Sequence, residues 1–315
     1  MQQIKENYVI KPNDFVTVTK MNHITEVQYL KNQTPPGTCP IAKLDADRYL
    51  VKDTGEIKEY RHTKNRSEGA DSLRRTMKNL RYLINNNFTG AQNELFLTLT
   101  YAENMQDEKR LYKDVDVFIK KLKRHYAGKE IKYITVAEPQ ERGAWHLHIL
   151  LKVKGHKGNL FLSNNDVLAP MWGHGFTKIK SLRRDLDNVG AYLTTYLTDL
   201  EIPDTAENAE LGVLKEVEEN GEKVSKRVVK GGRLHFYPVG FNFYRTSRNC
   251  KKPTRVKMTY EQVLKGALGA KAMEKSIYII DDTVGESDSK YNSEYGGKLI
   301  NIVKIVQYNA LREGG

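Results

Sequence analysis

The spacing of apolar and polar positions changes along the chain and predicts both strands and helices. In ELFLTLTY, residues 94–101, leucines alternate with Phe96, Thr98 and Thr100, which is typical of a strand. In RLYKDVDVFIKKLKRHY, residues 110–126, apolar positions recur every three or four residues and predict a helix. Similar patterns predict strands at 132–139, 145–154 and 175–182, and helices at 71–84 and 188–200. This order predicts an α+β fold with a central antiparallel sheet flanked by helices.

The changes in pattern divide the chain into four predicted regions. Residues 1–57 are expected to form a strand-rich extension, and residues 58–200 a compact core preceded by a basic helix. Residues 201–257 contain an acidic insert, expected to be a helix or linker over 201–225, and then a basic, aromatic segment. Residues 258–315 are expected to form a helical tail that ends in the helix KLINIVKIVQYNAL.

Charge and cysteine content narrow the function classes. The chain has 51 Lys and Arg against 39 Asp and Glu, a net charge of +12, which favours a polyanionic partner such as DNA. A basic protein without such a partner is the alternative.

The two cysteines form no CxxC pair, which argues against a cysteine zinc site or a disulfide framework. The polar N-terminus and the absence of an apolar run of about 18 residues predict a cytoplasmic protein.

The segment WHLHILLKVK, residues 145–154, carries two histidines within an otherwise apolar run. If the segment is a strand, Trp145 and every second residue after it form one apolar face. His146 and His148 then lie next to each other on the opposite face, where two imidazoles can hold one metal ion. The alternative is that the pair only packs across the strands.

A third metal ligand is predicted from the end of the preceding strand. Pro139 and Gly143 indicate a turn between the two strands, so Glu138 should return beside His146 in a hairpin. Two imidazoles and one carboxylate leave positions open for water or substrate, and this mixed donor set suits Mn²⁺ or Mg²⁺. His174, in MWGHGF, could add a fourth ligand, although a turn residue is the simpler interpretation.

Two tyrosines on the last predicted core helix are candidate nucleophiles. Tyr192 and Tyr196, in AYLTTYL, are four residues apart and would project from the same helix face. Aromatic residues at this spacing usually pack in a core. Beside a metal-bound phosphate, however, a tyrosine hydroxyl could attack the phosphorus and form a phosphotyrosine.

These three segments, taken in order, resemble a known family. LFLTLTY, EPQERGAWHLHILL and NVGAYLTTYL are similar to the three motifs of the His-hydrophobe-His (HUH) endonucleases. The resemblance is strongest to the rolling-circle replication initiators of bacterial plasmids and filamentous phages, the gene II-like replication-associated proteins. It implies an RNA-recognition-like antiparallel core, metal ligands at His146, His148 and Glu138, and a nucleophile at Tyr192.

The resemblance also implies a reaction and a setting. The expected enzyme nicks and rejoins DNA at a replication origin, single-stranded or in a supercoiled duplex, through a 5′-phosphotyrosine in a bacterial host cell. Tyr196 matches the second tyrosine of some members. Many relatives carry a Lys three residues after the nucleophile, where this chain has Thr195 or Asp199. Lys178 or Lys180 on the neighbouring strand could supply that charge.

Basic residues outside these motifs are candidates for DNA contact. The predicted helix at 71–84 is rich in Arg and Lys, and residues 226–257 contain ten Lys or Arg and no acid. Basic side chains would contact phosphates and aromatic rings would stack on unpaired bases, although the aromatics could equally belong to the core. The candidates are Arg74, Arg75, Lys78, Arg81, Lys178, Lys180, Arg233, Tyr237, Arg245, Arg248, Lys251 and Lys252.

Alternatives to a replication nickase remain open at this point. A relaxase or a transposase would use the same chemistry for DNA transfer. A non-catalytic nucleic-acid-binding module would use the histidines and tyrosines for packing or stacking. The chain carries no GxxxxGK[ST] motif for a fused helicase, so a host helicase is an expected partner.

Overall fold

The structure is a computed structural model of the chain. The described residues are 2–3, 9–31, 41–60, 70–140, 142–182, 189–190, 200–201, 213–219, 222–229, 237–238, 241–266, 270–281 and 300–313.

Strands dominate the described residues, and the elements are numbered here in chain order. The N-terminal strands are β1 (Gln2–Gln3), β2 (Phe15–Met21), β3 (Ile24–Leu30), β4 (Ile41–Lys43), β5 (Arg48–Val51) and β6 (Ile57–Glu59). They are followed by α1 (Ala70–Asn87), β7 (Glu94–Thr100), α2 (Glu108–His125), β8 (Ile131–Pro139), β9 (Trp145–Val153), a π-helical turn (Asn164–Leu168), α3 (Ala169–Trp172) and β10 (Thr177–Ser181). The last elements are β11 (Leu200–Glu201), β12 (Val213–Glu219), β13 (Glu222–Val229), β14 (Tyr244–Thr246), β15 (Thr254–Thr259), α4 (Tyr260–Gly266), β16 (Ala270–Asp281) and β17 (Ile300–Glu313).

The chain divides into two compact units. One, the terminal unit, combines Met1–His62 with Pro253–Gly315, and the other, the central unit, is Thr63–Lys252. The terminal unit contains a six-stranded sheet in the order β1-β16-β17-β3-β2-β15, called the terminal sheet, and the small sheet β4-β5-β6. The central unit contains a five-stranded sheet in the order β10-β7-β9-β8-β14, called the site sheet, and the small sheet β11-β13-β12. All strand pairs in the site sheet are antiparallel.

The site sheet has two faces with different chemistry. One face carries the alternating apolar side chains of β7 and β9, including Leu97, Leu99, Leu147 and Ile149, all of which are buried. Helix α2 covers this apolar face: Asp116 of α2 pairs with Arg245 of β14, at 3.0 Å. The other face carries Glu138 of β8, His146 and His148 of β9, and the alternating Phe96, Thr98 and Thr100 of β7. We call this the metal-site face.

The end of helix α1 is fixed at the metal-site face. Lys132 of β8 donates from Nζ to Asn87 Oδ1 at 2.9 Å, and Asn87 is the last residue of α1. The turn that follows α1 places three backbone N–H groups, of Thr89, Gly90 and Ala91, on the buried carboxylate of Glu94. These bonds fix α1 relative to β7 and β8.

The predicted α+β class, an antiparallel sheet flanked by helices, is confirmed. Helix α1 and helix α2 match the predicted helices, and β7, β8, β9 and β10 match the predicted strands, within a few residues. No helix among the described residues has the length and apolarity needed to cross a membrane.

The predicted final helix is wrong, and so is the helical alternative for residues 201–225. The segment expected to form the final helix is strand β17, which pairs with β16 and β3. It is rich in Ile and Val, whose branched side chains favour a strand. The expected helical insert contains β12 and β13, which pair antiparallel. The sequence Asn220-Gly221 between them is typical of a β-hairpin turn. This signal outweighs the Glu-rich composition, which had favoured a helix.

Candidate metal centre

The hairpin of β8 and β9 brings the three predicted metal ligands together. Glu138 and His146 are direct cross-strand partners, as the turn signals predicted. The turn is closed by Gln140 N–H donating to the Ala144 carbonyl at 2.8 Å. Gly143 adopts φ +83°, a left-handed backbone conformation that favours glycine.

The ligand atoms of the three side chains are close enough to share one ion. One ligand atom each from Glu138, His146 and His148 lies within 4.8 Å of the others. The two imidazole centroids are 4.7 Å apart. Of the three, Glu138 is 4% exposed, so its carboxylate is largely removed from bulk water. The geometry fits a metal centre.

Both imidazoles are held in the neutral form that a metal ligand requires. Burial, with a smaller contribution from the neighbouring His148, lowers the pKa of His146 to about 3. Burial lowers the pKa of His148 to about 4. The contact between His148 Nε2 and Glu138 Oε2, at 2.8 Å, is therefore a hydrogen bond from a neutral imidazole rather than an ion pair. In the tautomer that carries its proton on Nδ1, beside Thr98 Oγ1, a neutral His148 would present its Nε2 lone pair to a cation.

Two residues of β7 that the sequence analysis did not select fix the ring of His148. Thr98 Oγ1 lies 3.4 Å from His148 Nδ1, and the Phe96 ring stacks on the imidazole with centroids 5.2 Å apart at 9°. A hydroxyl both donates and accepts, so Thr98 can support either tautomer of His148. The signal for both residues was their alternation with the leucines of β7.

His146 carries the clearest sign of a ligand. Its Nε2 is buried and has no hydrogen-bond partner among the described residues. A buried polar atom is almost always satisfied, and a cation shared with Glu138 and His148 would satisfy this one. The residues present therefore fit a divalent cation.

His174 does not join this group. Its Nε2 lies 3.7 Å from Asp114 Oδ2, and Asp114 also accepts from the hydroxyl of Tyr101 at 3.0 Å. His174 also packs against the rings of Tyr101 and Trp172. These contacts agree with the simpler interpretation of the sequence, in which His174 is a turn residue and not a fourth metal ligand.

The candidate nucleophiles Tyr192 and Tyr196 lie outside the described residues, as does Arg233. The residues just before them, Val189 and Gly190, are helical and buried. Gly190 N–H donates to Asn85 Oδ1 of α1 at 2.7 Å, and a Cβ on Gly190 would come within 2.5 Å of the Arg81 carbonyl oxygen. The chain leading to Tyr192 is therefore packed tightly on α1.

The predicted DNA-contacting residues of α1 and β10 differ in their surroundings. The side chain of Arg74 lies outside the described part of the structure, and Arg75 is exposed. Lys78 and Arg81 lie over the ring of Tyr82, at 5.3 and 5.7 Å from its centroid. On β10, Lys178 pairs with Thr98 and Lys180 with Phe96, so both exposed lysines lie on the metal-site face.

In the basic aromatic segment, Tyr237 requires a correction. Its side chain is 1% exposed, and its hydroxyl donates to the Ala137 carbonyl at 3.2 Å, so the ring packs in the core and does not present a stacking surface. Arg245 pairs with Asp116 and lies 4.4 Å over the Tyr112 ring, on the apolar face. Of the other predicted DNA-contacting residues in this segment, Arg248, Lys251 and Lys252 are exposed.

The comparisons with known proteins point to replication. No curated protein and no solved structure gives a significant match. Residues 94–201, about a third of the chain, match the family model of the replication-associated proteins of the ORF2 and gene II protein type. This range contains Glu138, His146 and His148, and the match supports a replication-associated protein.

Proposed function

We propose that this protein is a metal-dependent, site-specific single-stranded DNA endonuclease and strand transferase that initiates rolling-circle replication. The observation that carries the proposal is the convergence of Glu138, His146 and His148 on one point of the site sheet. This cluster lies inside the range that matches a replication-associated family. The net charge of +12 agrees with a DNA substrate.

The three ligands would hold Mn²⁺ or Mg²⁺, since the mixed nitrogen and oxygen set leaves open positions for phosphate oxygens. A bound divalent ion would polarise the scissile phosphate. The same donor set also suits Fe²⁺, so metal selectivity belongs in the test. The replication family match favours phosphate chemistry over oxidation.

In the proposed reaction, a tyrosine hydroxyl replaces the 3′ oxygen on phosphorus. The phenol oxygen forms a bond to phosphorus, the bond to the 3′ oxygen breaks, and that oxygen leaves as a 3′-OH after taking a proton. The 5′ phosphate stays on the tyrosine, and the reverse attack by a 3′-OH rejoins the strand without ATP. We assign the nucleophile to Tyr192 and the second transfer to Tyr196, because these positions match the resemblance.

The test incubates the protein with Mn²⁺ or Mg²⁺ and supercoiled DNA of the replicon that encodes it. The expected product is a nicked circle with protein bound to the 5′ end, which a denaturing gel detects. Tyr192→Phe should abolish this product, and Tyr196→Phe should retain the first nick. If the doubly substituted protein still cleaves fully, the tyrosine mechanism is wrong.

A binding module would shift the same DNA on a native gel and leave every circle intact. The position of the nick separates the remaining alternatives, because a replication enzyme must cut at the origin from which leading-strand synthesis starts. A nick mapped to a transfer origin or an element end would instead indicate a relaxase or a transposase.

A further inference from the structure

The edge strand β10 presents an exposed aromatic ring and two lysines on the metal-site face. Phe176, just before β10, accepts a backbone hydrogen bond from Thr100 N–H at 2.9 Å, which continues the β7–β10 register by one residue. Side chains alternate along a strand, so Phe176 shares the face of Lys178 and Lys180. Thr177 and Ile179 point to the opposite face, where Thr177 is buried and Ile179 packs on the core. We call Phe176, Lys178 and Lys180 the edge strip.

The edge strip lies in register with the metal centre. Phe176 pairs with Thr100, which pairs with His146, and His146 pairs with Glu138. In the next row, Lys178 pairs with Thr98, which pairs with His148. Because neighbouring strands are about 4.8 Å apart, the strip runs parallel to the ligand residues at a distance of about 10 Å. Only the threonine side chains of β7 separate them along these rows.

Among the described residues, none covers the ring of Phe176 and none forms an ion pair with the two lysines of the edge strip. Phe176 is 67% exposed, which is unusual for a phenylalanine unless it meets a partner. Lys178 and Lys180 are exposed and form no ion pair within the described part of the chain. The strip thus offers one π-face and two positive charges at regular spacing.

We infer that the edge strip binds single-stranded DNA flanking the scissile phosphate. This inference rests on the proposed function, since it takes the metal centre as the cleavage point. An aromatic ring flanked by lysines matches the recognition of an unpaired strand, in which bases stack and phosphates pair with cations. The bases of a duplex are already stacked on each other, so an isolated exposed ring gains nothing from them. The chain's positive charge complements this occupant.

The test measures binding rather than cleavage, in EDTA, by fluorescence anisotropy. The probe is an oligothymidine of about twelve nucleotides, within the usual site size of a single-strand binder. A strand of the same length with abasic sites carries the same phosphates and no bases. Because neither probe is cut in EDTA, failure of the proposed nicking chemistry would leave this measurement intact.

Phe176→Leu should weaken binding of oligothymidine by about 5- to 100-fold, because one stacked base is lost. Its binding of the abasic strand should stay unchanged. Phe15→Leu is the matched control: Phe15 is 55% exposed and belongs to the terminal unit, so this variant should bind like the wild type. If Phe176→Leu binds oligothymidine as the wild type does, or weakens binding of the abasic strand equally, the inference is overturned.

The double variant Lys178→Ala/Lys180→Ala should weaken binding of both probes. Each phosphate contact contributes about 0.7 to the salt slope of single-strand binding, so the slope should fall by about 1.4. Lys120→Ala is the matched control, since Lys120 is exposed on α2, the helix that covers the apolar face. An equal loss for Lys120→Ala would show general charge attraction and contradict a defined strip.

Discussion

Each of the two largest sheets contains a polar cross-strand pair with a buried glutamate, and the two pairs differ in their hydrogen bonds. In the terminal sheet, Glu26 and Gln307 are cross-strand partners, and Gln307 Nε2 donates to Glu26 Oε2 at 2.9 Å. In the site sheet, Glu138 and His146 are also cross-strand partners, yet Glu138 bonds to His148 and His146 Nε2 has no partner among the described residues. The pair in the terminal sheet is thus joined by its own hydrogen bond, whereas in the site sheet His146 Nε2 has no hydrogen-bond partner among the described residues.

This difference separates a structural polar pair from a ligand site. A buried pair that satisfies itself can stabilise a sheet and fix its register. A buried nitrogen without a partner costs free energy, and folds keep such atoms mainly where function requires them. The same cross-strand geometry therefore serves stability in the terminal unit and, in our interpretation, metal binding in the central unit.

The largest effect is expected from removing the carboxylate charge of the metal centre. Glu138→Gln keeps the size of the side chain but replaces an anionic ligand by a weak neutral one. Mn²⁺ affinity, measured by isothermal titration calorimetry, should fall by at least about 100-fold, more than the loss typical of an outer-shell partner. Origin nicking should fall with it.

Glu130→Gln is the control for this prediction. Glu130 directly precedes β8 but bonds to Lys154 and Asn249, away from the histidines. Its substitution should leave Mn²⁺ affinity unchanged. Equal Mn²⁺ affinity in Glu138→Gln and the wild type would contradict the metal centre.

A second, smaller effect is expected in the terminal sheet. Glu26→Leu removes the acceptor of Gln307 Nε2 in a fully buried position. The free energy of unfolding should fall by roughly 1–3 kcal/mol, because a buried amide loses its acceptor. Urea denaturation measures the total, and hydrogen exchange of β3 and β17 localises it to the terminal sheet.

Mn²⁺ affinity should remain that of the wild type in Glu26→Leu, since the metal ligands are untouched. Glu26→Gln retains an acceptor and should lose less stability. If Glu26→Leu is as stable as the wild type, the Glu26–Gln307 pair does not stabilise the terminal sheet, and the contrast with the site sheet is wrong.

The opposite change in stability is expected at His146. His146→Leu replaces a partly buried imidazole, whose Nε2 is buried and has no partner among the described residues, by an apolar side chain of similar size, so metal-free stability should rise by about 1 kcal/mol. Metal binding should be lost, because only one imidazole remains. Urea denaturation in EDTA and calorimetry with Mn²⁺ measure the two effects. A clear loss of metal-free stability would indicate that His146 is a packing residue.

The candidate metal centre was largely predictable from local sequence, because its three side chains come from one hairpin. Alternation placed His146 and His148 on one face, and Pro139 and Gly143 indicated the turn that brings Glu138 opposite His146. Strand periodicity and turn chemistry act over a few residues, so a single sequence carries both signals.

The contacts that a single sequence did not reveal are those between distant segments. Strand β17 pairs with β3, at the other end of the chain, and no local pattern specifies that partner. Without it, the spacing of apolar residues in β17 also fitted a helix. For the same reason Tyr237 was expected at a DNA surface, although its hydroxyl reaches Ala137, a hundred residues earlier in the chain. The composition of a segment does not show which of its side chains are buried, because burial depends on the other segments that pack against it.

The smallest expected effect concerns Thr98, whose hydroxyl lies 3.4 Å from His148 Nδ1. Thr98→Val keeps the shape of the side chain and removes this hydrogen bond, so the imidazole loses one of the contacts that fix its orientation. Mn²⁺ affinity should fall by about fivefold, below the usual range for an outer-shell partner because this bond is long. Thr98→Ser should restore the affinity, since it returns the hydroxyl. If Thr98→Val binds Mn²⁺ as tightly as the wild type, Phe96 stacking and the Glu138 bond alone orient His148. The site sheet would then need no polar support from β7 to orient His148.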